Sequence, residues 1–266
     1  MIARVLRFAL IAGTAVGPLW LIQNALRSEA EITARPFSLP RSPTTENFAQ
    51  ALALPGLPRI VANSVVVSSA TALLTLALSL PAAVLLTRAS PMLRSRAQIV
   101  LSLIYLTYPI SLQVPWFRAL AAIGLVDTRL GIVLVHTAVA LPLATVLAES
   151  VFRAFPGGWH ELATSWGMSV PAFLRHVAIP AARGPVASIG LIAFAVSWRE
   201  YLFSFLLSYT THTRTLTVHQ VSLTEAESPP WGLLAVLSIF ALLPAVLVAV
   251  VTPGLSTTLA QSERAR

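Results

Sequence analysis

Long apolar runs separated by short polar or proline-containing segments dominate this chain. A bilayer core of roughly 30 Å needs about 20 consecutive apolar residues in a helix. Six stretches meet or approach that length: about 5–26, 63–87, 97–117, 130–152, 184–208 and 231–253. Six helices return both termini to one side. The first run is long and no convincing small-x-small cleavage site follows it, so it reads as a retained anchor and not as a signal peptide. Residues 28–60 contain Pro36, Pro40, Pro43, Pro55 and Pro58, which bar any long helix through them. Residues 209–230 form a Thr-rich loop that closes on Pro229 and Pro230. The pattern predicts an all-α integral membrane protein, with residues 1–266 forming a single transmembrane domain.

Composition sharpens the picture by exclusion. The chain has 266 residues, of which 56% are hydrophobic and 11% charged, and its mean hydropathy is +0.78. A soluble domain with a polar surface does not carry that balance. All 18 basic residues are Arg. The P-loop that grips ATP needs a Lys in GxxxxGK[ST], so this chain is not a P-loop ATPase. The absence of Cys removes disulfides, thiolate metal sites and cysteine nucleophiles. A net charge of +8 in a soluble protein would suggest nucleic acid, but these arginines sit in short loops beside apolar spans. They point to anionic lipid headgroups and to topology instead. Arg4, Arg7, Arg88, Arg94, Arg96, Arg153, Arg175, Arg183, Arg264 and Arg266 fall on one side, which is therefore expected to be cytoplasmic and to hold both termini.

The loop 153–183 on that side is unusually apolar. Trp159, Leu162, Ala163 and Trp166 recur at helical spacing, and Gly167 follows as a helix-ending residue. Ser169, Val170 and Pro171 read as an N-cap and first turn of a second helix, along which Val170, Phe173, Leu174 and Val177 share a face. Amphipathicity alone leaves two readings open: a hairpin lying on headgroups or on the chain's own helix ends, or a docking element for a soluble partner.

Spacing chooses the second. Glu161, Leu162 and Ala163, then Gly167, then Val177, Ala178, Ile179 and Pro180 resemble the EAA motif of ABC importer permeases (E-A-A, three residues, G, nine residues, I-x-L-P). The segments "TTENFAQAL", "ANSVVV", "SWREYLFSFLL" and "PPWGLLAVLSIFALLPAVLV" are similar to carbohydrate importer permeases of the maltose-transporter type. The chain departs from that pattern in three places. Trp166 stands where an acidic residue is usual, Arg199 replaces the Asn of W-N-[DE], and the tail reads "STTLAQSERAR".

The resemblance implies a type I importer permease fold in a bacterial inner membrane, with six transmembrane helices and a cytoplasmic coupling-helix hairpin. It implies partners as well: a second homologous permease subunit, an ATP-binding subunit dimer that holds ATP and Mg, and an extracytoplasmic substrate-binding protein. No cofactor is expected on this chain, which would be a transport subunit and not an enzyme. The coupling residues would be Glu161, Leu162, Ala163, Trp166, Gly167, Phe173, Leu174, Ile179 and Pro180, with Glu161 the polar anchor, Gly167 the hinge, and Phe173 and Leu174 an apolar plug.

Charged and aromatic residues inside the spans are the candidates for a substrate path. Glu149 stands four residues before Arg153, a spacing that favours an interfacial ion pair. Arg199 and Glu200 lie about 24 Å along span five at 1.5 Å per residue. They line a polar cavity or anchor at the interface. Tyr105, Tyr108, Gln113 and Trp116 surround Pro109 and Pro115 and suit either sugar recognition or an aromatic belt. Trp198, Arg199 and Glu200 complete the candidate path. His136 reads as a packing residue, while His212 and His219 have no third ligand in sequence for a zinc site. Two alternatives to a sugar permease remain: a permease for another solute such as polyamine, and an ion-coupled secondary transporter, which would more often show repeats and a mid-membrane ionisable residue.

Overall fold

A computed structural model describes residues 2–106, 112–155, 167–242, 244 and 246, and every regular element among them is helical. In chain order these are α1 (Ile2–Ala25), α2 (Glu29–Ala34), α3 (Glu46–Ala53), α4 (Leu57–Arg88), α5 (Pro91–Leu106), α6 (Gln113–Ala122) and α7 (Arg129–Arg153). They continue with α8 (Val170–Ala181), α9 (Arg183–Trp198), α10 (Leu202–Leu207), α11 (Leu216–Thr224) and α12 (Trp231–Leu242). Among the described residues, α4 and α7 are each long and apolar enough to cross a membrane.

The α4–α7 pair is the closest-packed in the molecule and forms its spine. Ser64, Ser68, Thr71, Thr75 and Ser79 are all buried and recur along α4 at helical spacing, while Ala72, Ala83 and Val84 of α4 cluster with Ala140, Ala144 and Ala148 of α7. Small side chains let two backbones approach where lipid offers no hydrophobic drive to associate. Helix α9 completes the spine, packing on both members of the pair.

The structure revises four boundaries expected from the sequence. Helix α4 starts at Leu57 and not near 63, because Pro58 fits the first turn, where a missing N–H costs nothing. The stretch 97–117 is divided between α5 and α6, with 107–111 outside the described residues. Span five is not one helix: α9 ends at Trp198 and α10 begins at Leu202. The 209–230 segment carries a helix of its own, α11, whose Leu216 and Val218 are buried.

At the proline-rich end of the bundle, Arg27 organises the chain after α1. Its side chain is fully buried, and the guanidinium donates to Asn24 Oδ1 (3.1 Å), Pro36 O (3.3 Å), Glu31 O (2.9 Å), Arg35 O (2.5 Å) and Ser38 Oγ (3.0 Å), with Glu31 Oε1 at 3.8 Å. Read from sequence as one more loop arginine, it is the centre of a folded cap. Glu29 joins this cap to α12 by accepting from the N–H groups of Trp231 (3.0 Å) and Gly232 (3.1 Å), where an acid also meets the positive end of the helix dipole. Gly232 leaves no room for a side chain: a Cβ there would stand 2.4 Å from Asn47 Oδ1. Asn47 in turn donates to the carbonyls of Ala25 and Arg27.

Replacing Arg27 with Ala removes all five of these hydrogen bonds from the cap and leaves the buried Asn24 amide oxygen without its donor. The expected cost is about 3 kcal/mol, read as a lowered thermal unfolding midpoint in detergent.

Candidate functional site

Helix α9 stops because Glu200 begins the next helix inside the bundle. Its Oε1 accepts from Phe203 N and its Oε2 from Ser204 N, both at 3.0 Å, satisfying two of the N–H groups that open α10. The Glu200 side chain is held in turn by His136 of α7, whose Nε2 lies 2.9 Å from Oε2 and 3.1 Å from Ser204 Oγ. A carboxylate only accepts, so Nε2 carries the hydrogen. On the other side of the ring, Nδ1 meets Ser197 Oγ at 2.7 Å, and Ser197 reaches Thr71 Oγ1 of α4 at 3.4 Å. One buried polar chain thus ties α4, α7, α9 and α10 together at the break. Thr217 of α11 closes it from outside by donating to the Glu200 carbonyl at 3.0 Å.

Beside the break lies a cavity of about 470 Å³, lined by Tyr105 and Leu106 of α5, Val139 of α7, Val196 of α9, and Arg199, Glu200, Tyr201 and Leu202 of the break itself. It is open to the chain's surface, since Leu106 and Arg199 are exposed. Val139 stands ten residues into α7, about 15 Å from its start at 1.5 Å per residue. Of the residues expected on a substrate path, Tyr105, Arg199 and Glu200 meet here. Gln113 begins α6 and does not line the cavity. Trp198 turns the other way: its ring stacks on Phe194 (centroids 5.7 Å apart), and Nε1 donates to Ala241 O at 3.1 Å. Tyr108 lies outside the described residues.

The loop that follows α10 is clamped over the same end. Asp127 accepts through Oδ1 from Tyr209 N (3.0 Å), Thr210 N (3.2 Å) and the Thr213 hydroxyl, while its own N–H donates to Leu207 O (2.9 Å). Partial burial would raise its pKa, but the hydrogen bonds from Thr213, Thr210 and Tyr209 prevail and hold the carboxyl below its ordinary value. From α4, Asn63 donates to Arg214 O (3.0 Å), and Ser64 Oγ accepts from Leu216 N (2.7 Å).

At the opposite end stands the hairpin. Glu161, Leu162, Ala163 and Trp166 lie outside the described residues. Gly167 has φ +68°, the left-handed conformation that ends a helix and that side-chain-bearing residues rarely adopt. Ser169 caps α8 by accepting from Ala172 N. Phe173 is fully buried and Leu174 nearly so, in a cluster with Leu80, Ala83 and Val84 of α4 and Ala144, Ala148 and Phe152 of α7. These two residues root the hairpin in the chain's own spine, whereas Ile179 and Pro180 are exposed. Pro180 has no N–H to continue the ladder, and the turn before it, Leu174–Ala178, is widened to a π-turn. Helix α8 then meets α9 at 98°. Nearby, Glu149 is fully buried and accepts from Gln98 Nε2 at 2.7 Å, with Arg94 at 3.6 Å and Arg153 at 4.0 Å. The simple Glu149–Arg153 pair expected from spacing is therefore secondary to contacts from α5. Arg94 also donates to the Leu86, Thr87 and Ala89 carbonyls that end α4.

Comparison with known proteins fits this architecture. A putative ABC transporter permease protein of Streptomyces antibioticus, ORF1, is 30% identical over 209 residues, which span 78% of this chain and 91% of that protein. The chain belongs to the ABC transporter permeases. SmoH of Agrobacterium fabrum, a sulfoquinovosyl glycerol transport system permease protein, is 29% identical to this permease over 238 residues, covering 88% and 82% of the two chains. No protein-family model matches the permease. A chain of a bacterial ABC transporter that imports the acidic polysaccharide alginate shares its fold, with TM-score 0.72 at 19% identity and 95% coverage of both chains. The permease is accordingly a membrane protein that works within a transport complex of several subunits.

Sequence reasoning marked Glu200 but missed its partners. The sequence reads His136 only as a packing residue and does not single out Thr71, Ser197 or Ser204; the signal is three hydroxyls and an imidazole on otherwise apolar helices. Replacing His136 with Leu should lower stability by about 3 kcal/mol, measured by thermal unfolding in detergent. The double substitution with Glu200→Gln should recover part of that loss, since no buried carboxylate is then left short of a partner.

Proposed function

We propose that this permease is the membrane-spanning subunit of an ATP-driven, binding-protein-dependent importer for a carbohydrate. In this reading residues 1–266 form one membrane domain of six spans, with both termini and the 153–183 hairpin cytoplasmic. The hairpin is the coupling element. Glu161, Leu162, Ala163, Trp166, Gly167, Ile179 and Pro180 would meet a separate ATP-binding subunit of a dimer that holds ATP and Mg, while Phe173 and Leu174 carry its motion to α4 and α7. A second homologous permease completes the translocation path, and an extracytoplasmic binding protein delivers the cargo. Tyr105, Arg199 and Glu200 would face that path, with Tyr108, Gln113 and Trp198 as its less direct contributors.

The observation that carries the reading is the right-angled hairpin helix rooted by Phe173 and Leu174 between the two spine helices. Those helices also hold the polar break at the far end. A rigid lever of this kind can move one end of a close-packed pair when the other is pushed, because packed helices shift as bodies. The cargo class draws on the relatives: SmoH is named for a sulfoquinovosyl glycerol transport system, and the structural neighbour imports a polysaccharide.

Purification of the tagged permease from its native membrane in mild detergent, with mass spectrometry of the co-purifying chains, is expected to recover a P-loop ATPase, a second permease and a binding protein. Recovery of this chain alone as a stable homo-oligomer contradicts the proposal. Within the recovered complex, Gly167→Val places a β-branched residue at positive φ at a cost of about 1–2 kcal/mol. Among the described residues nothing lies within 4 Å of a Cβ there, so no clash with them adds to the backbone cost. Membrane insertion should be normal and ATP hydrolysis retained, with uptake reduced at least tenfold; undiminished uptake rejects the coupling role.

A further inference from the structure

This inference rests on the importer reading and names the chemistry of its cargo. Two adjacent charged residues border the cavity at the helix break, and the fold treats them oppositely. Glu200 is 7% exposed, and its oxygens are engaged by two backbone N–H groups and by the His136 imidazole. Its oxygens are thus turned to donors of the protein's own. Arg199 is exposed on the cavity wall, and its backbone N–H is spent in closing α9 on Ala195 O. Among the described residues no carboxylate lies within 4.0 Å of its guanidinium. The remaining lining residues are Tyr105, Leu106, Val139, Val196, Tyr201 and Leu202, none of them acidic.

The cavity therefore presents an exposed guanidinium, with no carboxylate in contact among the described residues, beside two phenol rings. One of those rings, Tyr201, is steadied against Phe205 with centroids 5.5 Å apart. An exposed guanidinium on a cavity wall, with no carboxylate in contact among the described residues, is available to an oxyanion brought by a ligand. A guanidinium keeps its proton at any working pH and offers a planar fork of donors that fits two oxygens of a carboxylate, sulfonate or phosphate. The hydroxyls of a neutral sugar accept from it but bring no charge to meet its own.

We propose that this cavity selects carbohydrates bearing an anionic substituent, with Arg199 as the specificity-determining residue. The charge pairs with the oxyanion while the tyrosines take the ring and its hydroxyls. The site is shallow and open, so the pairing adds to selection without holding the cargo so tightly that release fails.

The test uses the complete purified importer in lipid nanodiscs and three methyl glucosides that differ only at C6, carrying a hydroxyl, a carboxylate or a sulfonate. Direct binding titrations should show both anionic probes binding about tenfold or more tightly than the neutral one, the size of a charge-assisted hydrogen bond. In Arg199→Gln the ratio of anionic to neutral binding should fall to about one, and Arg199→Lys should keep the preference in weaker form. Added salt should erode only the anionic advantage. Because Arg199 is exposed, the Gln variant should melt with the wild type. Absence of an anionic preference in the wild type, including no binding of any probe, overturns the proposal, as does a Gln variant that loses neutral and anionic binding alike. A preparation that contains no ATPase and transports nothing with ATP overturns the importer reading itself, and is told apart by that assay.

Discussion

The capping of α10 by Glu200 inside the bundle is the constraint on which the rest of the structure depends. A helix that stops within a bilayer leaves N–H and C=O groups with no water to satisfy them, which is affordable only where protein takes water's place. Glu200 supplies that place for Phe203 and Ser204, and His136, Ser197 and Thr71 extend it across three more helices. The break turns Arg199 onto the wall of an open cavity while Trp198, one residue earlier, points into apolar packing. Without it the stretch 183–207 would run as one continuous helix, with Arg199 on its side and not at a break.

The two ends of the molecule are built to opposite ends of the same purpose. At the proline-rich end, polar groups are spent on closing loops: Arg27 gathers the carbonyls after α1, Glu29 caps α12, and Asp127 with Asn63 and Ser64 fastens the loop after α10. At the hairpin end, attachment is apolar, through Phe173, Leu174 and Ala178 set among α4 and α7, with the Arg94–Glu149–Gln98 cluster alongside. The α4–α7 spine connects the two. Its buried small residues, Ser, Thr and Ala, allow close contact over its length, so displacement at one end is felt at the other.

Periodicity was enough to find the elements whose boundaries are set locally. The apolar runs located α4 and α7, Ser169 with Pro171 located the start of α8, and Gly167 located the preceding turn, because each rests on a rule that acts within one helical turn. Long-range pairings were not legible in the same way. That Arg27 is buried, that Glu149 answers to Gln98 and Arg94 before Arg153, and that Trp198 faces away from Arg199 all depend on which helices become neighbours. Helix α11 escaped notice because Thr-rich composition masks a short helix whose apolar residues face inward. The break after Trp198 had a local signal, an acidic side chain placed three and four residues before the N–H groups it caps, but hydropathy averaged over the run conceals it.

The natural absence of Cys permits a direct test of the central claim that span five is broken, with one charge buried and its neighbour facing an open cavity. Single cysteines introduced at Arg199, Tyr105, Phe203 and Val133 in the intact importer can be challenged with a charged, membrane-impermeant thiol reagent. The account predicts rapid labelling at 199, slower labelling at the partly buried 105, and none at 203 or 133, which are buried against α7 and its neighbours. Inert cysteines at 199 and 105, or labelling at 203 equal to that at 199, would contradict it.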